Sequence, residues 1–152
     1  MKATRQYGEK IDAALGMWVK LARAFSTFNK ITVDHIRSFG LTQAQFGALE
    51  CLGHLGSMTI GELCRKQLVS GGNMTVIVDN LEKDGLAERI RNAEDRRVVV
   101  VQLTEAGKQR FQEIFPRHAE CVAKTASVLT EGEMTELSRL LKKLGVALAR
   151  GD

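Results

Sequence analysis

The sequence predicts a mainly α-helical protein with one small β hairpin, built as a single domain over residues 1–152. Three observations lead to this class. Apolar residues recur at helical spacing through most of the chain, while a run of β-branched residues occurs in one place, at 97–103. Threonine or serine of the helix-capping type precedes five of the helical stretches. No repeat, low-complexity segment or linker interrupts them, and 152 residues suffice for one buried core.

A long first helix is predicted over about residues 8–38. Its apolar residues recur every three or four positions, which places them on one helix face: Ile11, Leu15, Trp18, Ala22 and Phe25. Gly40 follows the stretch and is a typical helix stop.

The next three helices each begin at a capping residue. Thr42 and Gln45 form a capping box that begins the second helix, and Thr59 and Glu62 form the box of a short third helix. Ser70 caps the fourth helix, which ends at Gly85. The apolar positions of that helix follow the i, i+3, i+4, i+7 pattern: Met74, Ile77, Val78 and Leu81.

A β hairpin is predicted directly after the fourth helix. Its strands are expected at 86–90 and 97–103, because both are short and the second is rich in valine. The residues between the strands, 91–96, are polar and charged. Residues 57–59 are expected to add a short third strand.

Two further helices close the chain. Thr104 caps the fifth, in which Pro116 is expected to kink or restart the helix. Thr130 and Glu133 form a capping box for the last helix, which carries leucines at near-heptad spacing: Leu137, Leu141, Leu144 and Leu148. One small core cannot easily bury this stripe and the long first helix together. We therefore expect residues of about 8–38 and 104–150 to form dimerisation helices around a lobe of about 42–103.

The element order from residue 59 onward is that of a helix-turn-helix followed by a wing. The fourth helix has the size and bracing that a DNA major groove accepts, and its exposed side carries short hydrogen-bonding residues. The candidate DNA-binding residues of this segment are Ser70, Gly71, Gly72, Asn73, Thr75, Val76, Asn80 and Lys83. Asp79 and Glu82 would repel phosphate, so they are expected to bond within the protein. A solvated surface face is the alternative interpretation of this helix.

The hairpin tip favours DNA binding over that alternative. Three arginines lie within seven residues, Arg91, Arg96 and Arg97, and arginine binds well in a narrow minor groove. Asp95 would repel phosphate unless paired, so it is expected to hold Arg96 or Arg97 through a bidentate bond. A winged-helix module that binds protein is the alternative function, and a neutral or acidic wing would have favoured it.

The segment LVSGGNMTVIVDNLEKDGLAERIRNAEDRRVVVVQLTEAGK resembles the recognition helix, wing and following helix of the MarR (multiple antibiotic resistance regulator) family. The matching landmarks are Thr75, residues 79–82, 85–86, 95–97 and 103–107. The resemblance implies a winged-helix homodimer whose first and last two helices form the interface. It also implies a transcription regulator, mostly a repressor, that binds a palindromic operator in double-stranded DNA. Many members carry arginine where this chain has Val76 and Asn80.

The resemblance further implies an input signal. In this family a small aromatic acid commonly binds between the dimer helices and the DNA-binding lobe, and it releases the repressor. Candidate lining residues in this chain are Trp18, Arg23, Phe25, Phe46 and His118. A thiol-responsive or metal-responsive regulator of the same fold is the alternative.

The thiol and metal alternatives have little support in the sequence. Cys51 and Cys64 lie on apolar helix faces, where a free cysteine is expected to be a small buried hydrophobe. The pairs Cys51/His54 and His118/Cys121 supply two ligands each, whereas a structural zinc site needs four. We therefore expect neither a metal nor a cofactor.

Composition excludes several other classes. The net charge of +4 and the pI near 9.1 permit a polyanionic partner without requiring one. No apolar stretch reaches the length of a membrane span, the N-terminus lacks a secretory pattern, and three cysteines do not form a disulfide framework. The sequence therefore predicts a cytoplasmic protein. No enzyme motif is present, so a non-enzymatic function is expected.

Overall fold

The computed structural model describes residues 7–67, 70–92, 95 and 97–150, and in these residues it has six helices and one two-stranded sheet. The elements in chain order are α1 (Glu9–Arg37), α2 (Gln43–Leu55), α3 (Ile60–Gln67), α4 (Gly71–Lys83), β1 (Ala87–Arg91), β2 (Val99–Leu103), α5 (Glu105–Ala126) and α6 (Glu131–Arg150). The predicted class, mainly α with a small β wing, is confirmed.

The capping residues begin the helices as predicted. In the box of α2, the Gln45 backbone N–H donates to Thr42 Oγ1 at 3.1 Å and the Thr42 N–H donates to Gln45 Oε1 at 2.9 Å. The boxes at residues 59/62 and 130/133 have the same reciprocal bonds. Ser70 and Thr104 cap α4 and α5. These bonds join residues three apart, so local sequence is enough to specify them.

The sheet pairs β1 with β2 antiparallel, in a register that places Ala87 opposite Leu103 and Arg91 opposite Val99. Both strands begin later than predicted, at residues 87 and 99 rather than 86 and 97. The expected third strand is reduced to one bridge. Met58 exchanges two backbone hydrogen bonds with Val101, at 3.0 and 2.7 Å, and the chain then enters α3.

The core lies within the lobe formed by α2, α3, α4 and the hairpin. Its most completely buried side chains are Leu49, Leu63, Met74, Val78, Leu81, Val101 and Ile114. The long helices contribute little to it: Ile36 from α1 and Ile114 from α5 are the buried apolar residues that reach it from their described parts. The core therefore holds α4 against its neighbours while leaving most of α1 and α6 outside.

Helix α5 is continuous through Pro116, so the expected restart of the helix does not occur. Proline cannot donate to the carbonyl of Gln112, which removes one helical hydrogen bond. Tertiary packing outweighs that loss, because Ile114 is completely buried and the rings of Phe111 and Phe115 pack 5.2 Å apart beside the core.

The start of α5 is fixed tightly to the lobe. The Thr104 hydroxyl donates to the Gly85 carbonyl at 2.6 Å, and the Thr104 N–H donates to the Leu86 carbonyl at 3.1 Å. A side chain on Gly107 would collide with that same Leu86 oxygen, so glycine permits this close approach. Movement of α5 is therefore coupled to the segment between α4 and β1.

The apolar faces of α1 and α6 are exposed in the single chain. On α6 every described side chain is exposed or half-buried, including the predicted leucines. On α1 the exposed apolar side chains include Ile11, Leu15 and Trp18. A surface helix normally buries one face, so both helices lack a covering partner within the described chain. None of the described helices combines the length and apolarity that a membrane crossing requires.

Candidate nucleic-acid interface

Helix α4 buries one side and exposes the side predicted to meet DNA. Met74, Val78 and Leu81 are completely buried and hold the helix on the lobe. The residues predicted to face the groove are exposed: Asn73, Thr75, Val76, Asn80 and Lys83. These side chains are therefore accessible on the side of α4 that was predicted to face DNA. Because Asn73, Val76 and Asn80 project from a rigidly packed helix, their spacing is fixed by the backbone.

The N-terminal turn of α4 is accessible to a ligand in the described chain. Ser70 Oγ accepts from the Asn73 N–H at 3.5 Å, and Gly71 and Gly72 form the first helical turn. A Cβ at either glycine would meet no atom within 4 Å, so the space beside this turn is free in the described chain. The first N–H groups of a helix favour an anion. The Thr75 hydroxyl donates to the Gly71 carbonyl at 3.0 Å and keeps its oxygen available as an acceptor.

The two acidic residues of α4 bond within the protein, as predicted. Their partner is Arg89 of β1, whose Nη2 donates to Asp79 Oδ1 at 2.7 Å and whose Nη1 donates to Glu82 Oε2. Sequence reasoning missed Arg89. An arginine at an inward-facing position of the first strand could have indicated a buried partner. Which acidic residues it pairs with depends on how the strand crosses the helix.

The tip of the wing holds one arginine in place. Asp95 Oδ1 accepts from the backbone N–H and the Nε of Arg97, at 3.0 and 3.2 Å, and Asp95 Oδ2 accepts from Nη2 at 3.3 Å. These hydrogen bonds lower the pKa of Asp95, so its carboxylate remains ionised at neutral pH. The Arg97 side chain is nevertheless 91% exposed. The predicted bidentate pair is confirmed for Arg97.

Of the two other arginines predicted to contact DNA from the wing, the structure describes one. Arg91 ends β1 and is exposed at the side of the wing. Arg96 lies outside the described residues, so its predicted DNA contact has no structural description.

The predicted effector residues do not converge on one cavity. Phe46 is a core residue, 2% exposed, and its ring lies 4.6 Å from that of His118. The His118 ring stacks on His35 at 5.8 Å. Burial, together with the neighbouring His35 imidazole, lowers the pKa of His118. His35 was missed by the sequence reasoning because it lies 83 residues away in the chain, at the C-terminal end of α1.

The three candidates on α1 lie on exposed surface. Trp18 and Phe25 are 60% and 66% exposed, and Arg23 is exposed as well. Phe25 lines an open groove of about 510 Å³ between α1 and the start of α2, whose lining includes neither Phe46 nor His118. The groove also contains the charged side chains of Lys30, Asp34 and Arg37, and Arg37 Nη1 donates to Asp34 Oδ1 at 3.3 Å.

The cysteines are less buried than predicted. Cys51 and Cys64 pack against the core but are half-buried, as is Cys121. Cys51 Sγ accepts from Gln67 Nε2 at 3.1 Å, which ties α2 to the end of α3. Among the described residues, no group of three histidine, cysteine or acidic side chains could hold a metal ion.

Comparison with known proteins places these features in a family. The MarR family model matches residues 41–99. The HTH-type transcriptional regulator MhqR of Bacillus subtilis is 34% identical over 135 residues, which cover 89% of this chain and 93% of MhqR.

Two solved structures share the fold. A cysteine-to-serine mutant of MarR from E. coli, solved in complex with operator DNA, has a TM-score of 0.76 at 23% identity and covers 90% of this chain and 99% of that chain. BpsR of Bordetella bronchiseptica, whose DNA binding is regulated by 6-hydroxynicotinic acid, has a TM-score of 0.75 at 24% identity. The match covers 86% of this chain and 98% of the BpsR chain.

Proposed function

This chain belongs to the MarR family of DNA-binding transcriptional regulators, and we propose that it is a repressor that binds a palindromic operator as a homodimer and is released by a small aromatic acid. The observation that carries the proposal is the pairing of an exposed polar face on α4 with an exposed arginine that Asp95 holds at the wing tip.

In the proposed complex, α4 lies in the major groove and the wing contacts the adjacent minor groove. The N-terminal turn of α4 approaches a phosphate, while Asn73, Val76 and Asn80 face base edges and thymine methyl groups. Helix α4 has a single positive side chain, Lys83, against Asp79 and Glu82. Most of the electrostatic attraction therefore has to come from the wing arginines and from backbone N–H groups.

The proposed homodimer covers the exposed faces of α1 and α6. The leucines of α6 share one face at near-heptad spacing, the pattern of helices that pack against another helix. A two-fold axis places two copies of α4 on the same side of the dimer, which matches a palindromic operator. We therefore propose the same division of the chain: a DNA-binding lobe of about 42–103, and dimerisation helices of about 8–38 and 104–150.

The proposed effector site lies where the dimer helices meet the lobe. The groove between α1 and α2 offers the exposed ring of Phe25 beside Lys30 and Arg37, and although Asp34 pairs with Arg37, the lining keeps a net positive charge that suits an aromatic carboxylate. BpsR, which shares the fold, responds to an aromatic acid of this class. A ligand wedged between α1 and α2 would tilt the lobe relative to the dimer helices and would change the separation of the two α4 helices.

Gel-shift titration of the DNA upstream of the protein's own gene tests the proposal. We expect a retarded complex that survives an excess of unrelated duplex and that dissociates with at least one member of a panel of small aromatic acids. Benzylamine-type amines of similar size serve as the charge control, since the net positive groove should bind them more weakly than the acids. Binding that unrelated duplex removes equally well would contradict the proposal, and so would a specific complex that resists every acid.

A further inference from the structure

Arg89 joins the wing to the recognition helix through three acceptors on α4. Its guanidinium donates to Asp79 and to Glu82, and Nη2 also lies 3.5 Å from the Thr75 carbonyl oxygen. The Glu82 carboxylate in addition accepts from the Arg89 backbone N–H at 2.8 Å. One arginine therefore holds β1 against α4 and offsets the negative charge of the two α4 carboxylates.

The residues that Arg89 contacts form a stripe beside the proposed DNA face. Thr75, Asp79 and Glu82 are spaced i, i+4 and i+7, so they lie on one side of α4. That stripe runs between the buried side of the helix and the side of Val76 and Asn80. The Asp79 side chain is 56% exposed. Without a partner, its carboxylate would stand close to approaching phosphates and would oppose them.

The Arg89 side chain itself is only 27% exposed, and its fork is already occupied by two carboxylates. A guanidinium held in this way is preorganised and has few donors left for a phosphate. It differs in this respect from Arg97, which pairs with one carboxylate among the described residues and is almost completely exposed.

We propose that Arg89 is a positioning residue for DNA binding: it neutralises Asp79 and Glu82 and fixes the wing against α4 without touching DNA. This inference rests on the proposed function of α4 and the wing. It assigns to Arg89 a role that acts through its two carboxylate partners, so removing those partners should make Arg89 dispensable.

A double-mutant cycle on full-length protein tests the inference. Operator affinity is measured for wild type, Arg89→Gln, the double variant Asp79→Asn/Glu82→Gln, and the triple variant that combines all three changes. Glutamine at 82 retains an oxygen that can accept from the backbone of β1. We expect Arg89→Gln alone to weaken binding at least about tenfold, since uncompensated like charge at an interface is costly. In the neutralised background the same change should alter affinity by less than about threefold.

Arg89→Lys is the conservative control. A lysine keeps the charge but loses the fork, so we expect its affinity to lie between those of wild type and Arg89→Gln. If the ion pairs acted only on the fold, the double variant would bind as weakly as Arg89→Gln, whereas neutralisation predicts that the double variant binds more tightly than Arg89→Gln, because the amides carry no charge that repels phosphate. Thermal melts check that each variant folds. If Arg89→Gln does not fold, the affinities of the triple and the double variant are compared, and these should differ by less than about threefold.

Equal loss from Arg89→Gln in both backgrounds would overturn the inference, because Arg89 would then act independently of Asp79 and Glu82, as it would by contacting DNA directly. That outcome leaves the proposed function intact as long as wild type binds the operator specifically. Failure of wild type to bind any duplex specifically would instead remove the proposed function itself.

Discussion

A double variant with Leu137→Glu and Leu141→Glu is expected to be monomeric and to lose operator binding. Both side chains are exposed in the single chain, at 45% and 42%, and lie on the leucine face of α6. Two carboxylates placed on an apolar contact between subunits cannot keep their hydration, so the dimer should dissociate. A monomer engages one half-site, and losing the linked second half-site should cost roughly 10²- to 10⁴-fold in affinity.

Light scattering and fluorescence anisotropy on the same samples provide the measurement. The control variant is Arg139→Gln/Lys143→Gln, which also lowers the net charge by two and which helical spacing places on the opposite side of α6. It should remain dimeric and retain most of its affinity. A leucine variant that stays dimeric and binds as wild type would show that the face of α6 does not join the subunits.

Asp95→Ala is expected to weaken operator binding, although it removes a negative charge from the DNA-binding surface. The carboxylate holds Arg97 through hydrogen bonds to its Nε and Nη2 atoms, and a freed arginine would lose conformational entropy on binding. Arg97→Ala should cost more, roughly 1–3 kcal/mol if the arginine enters the minor groove. This corresponds to roughly a 5- to 150-fold loss of affinity.

Titrations at two salt concentrations distinguish positioning from simple electrostatics. If Arg97 touches only phosphate, its removal should lower the slope of log affinity against log salt by about one. The matched control is Glu88→Ala, which removes an exposed carboxylate that pairs with Gln102 on the strands rather than with an arginine at the tip. Tighter binding by Asp95→Ala at both salt concentrations would refute the positioning role, and unchanged binding by Arg97→Ala would refute the wing contact.

The features that the sequence predicted correctly depend on contacts between residues only a few positions apart in the chain. The capping boxes, the pair of Asp95 with Arg97 and the periodic burial of α4 each depend on spacings of two to four, which local sequence determines. The internal bonding of Asp79 and Glu82 also followed from a general rule, since free carboxylates on a DNA-facing helix would oppose binding.

The features that sequence reasoning missed depend on contacts between distant elements. Arg89 meets α4 because β1 folds back across it, and His35 meets His118 because α1 crosses α5. The predicted effector residues failed to converge for the same reason: helical spacing gives the face of a residue but not the neighbour it meets. At Pro116 a local rule predicted a kink or a restart of the helix, and α5 continues through the proline without a restart.

Hydroxyl-radical footprinting of the wild-type dimer on the upstream duplex tests the central claim most directly. A winged-helix dimer that places two α4 helices in successive major grooves should protect two symmetric patches whose centres lie about one helical turn, roughly 10 base pairs, or a multiple of this apart. Each wing should add a flanking minor-groove protection that disappears in Arg97→Ala. A single asymmetric patch, or uniform weak protection along the duplex, would contradict the claim that this chain recognises its operator as a symmetric pair of recognition helices and wings.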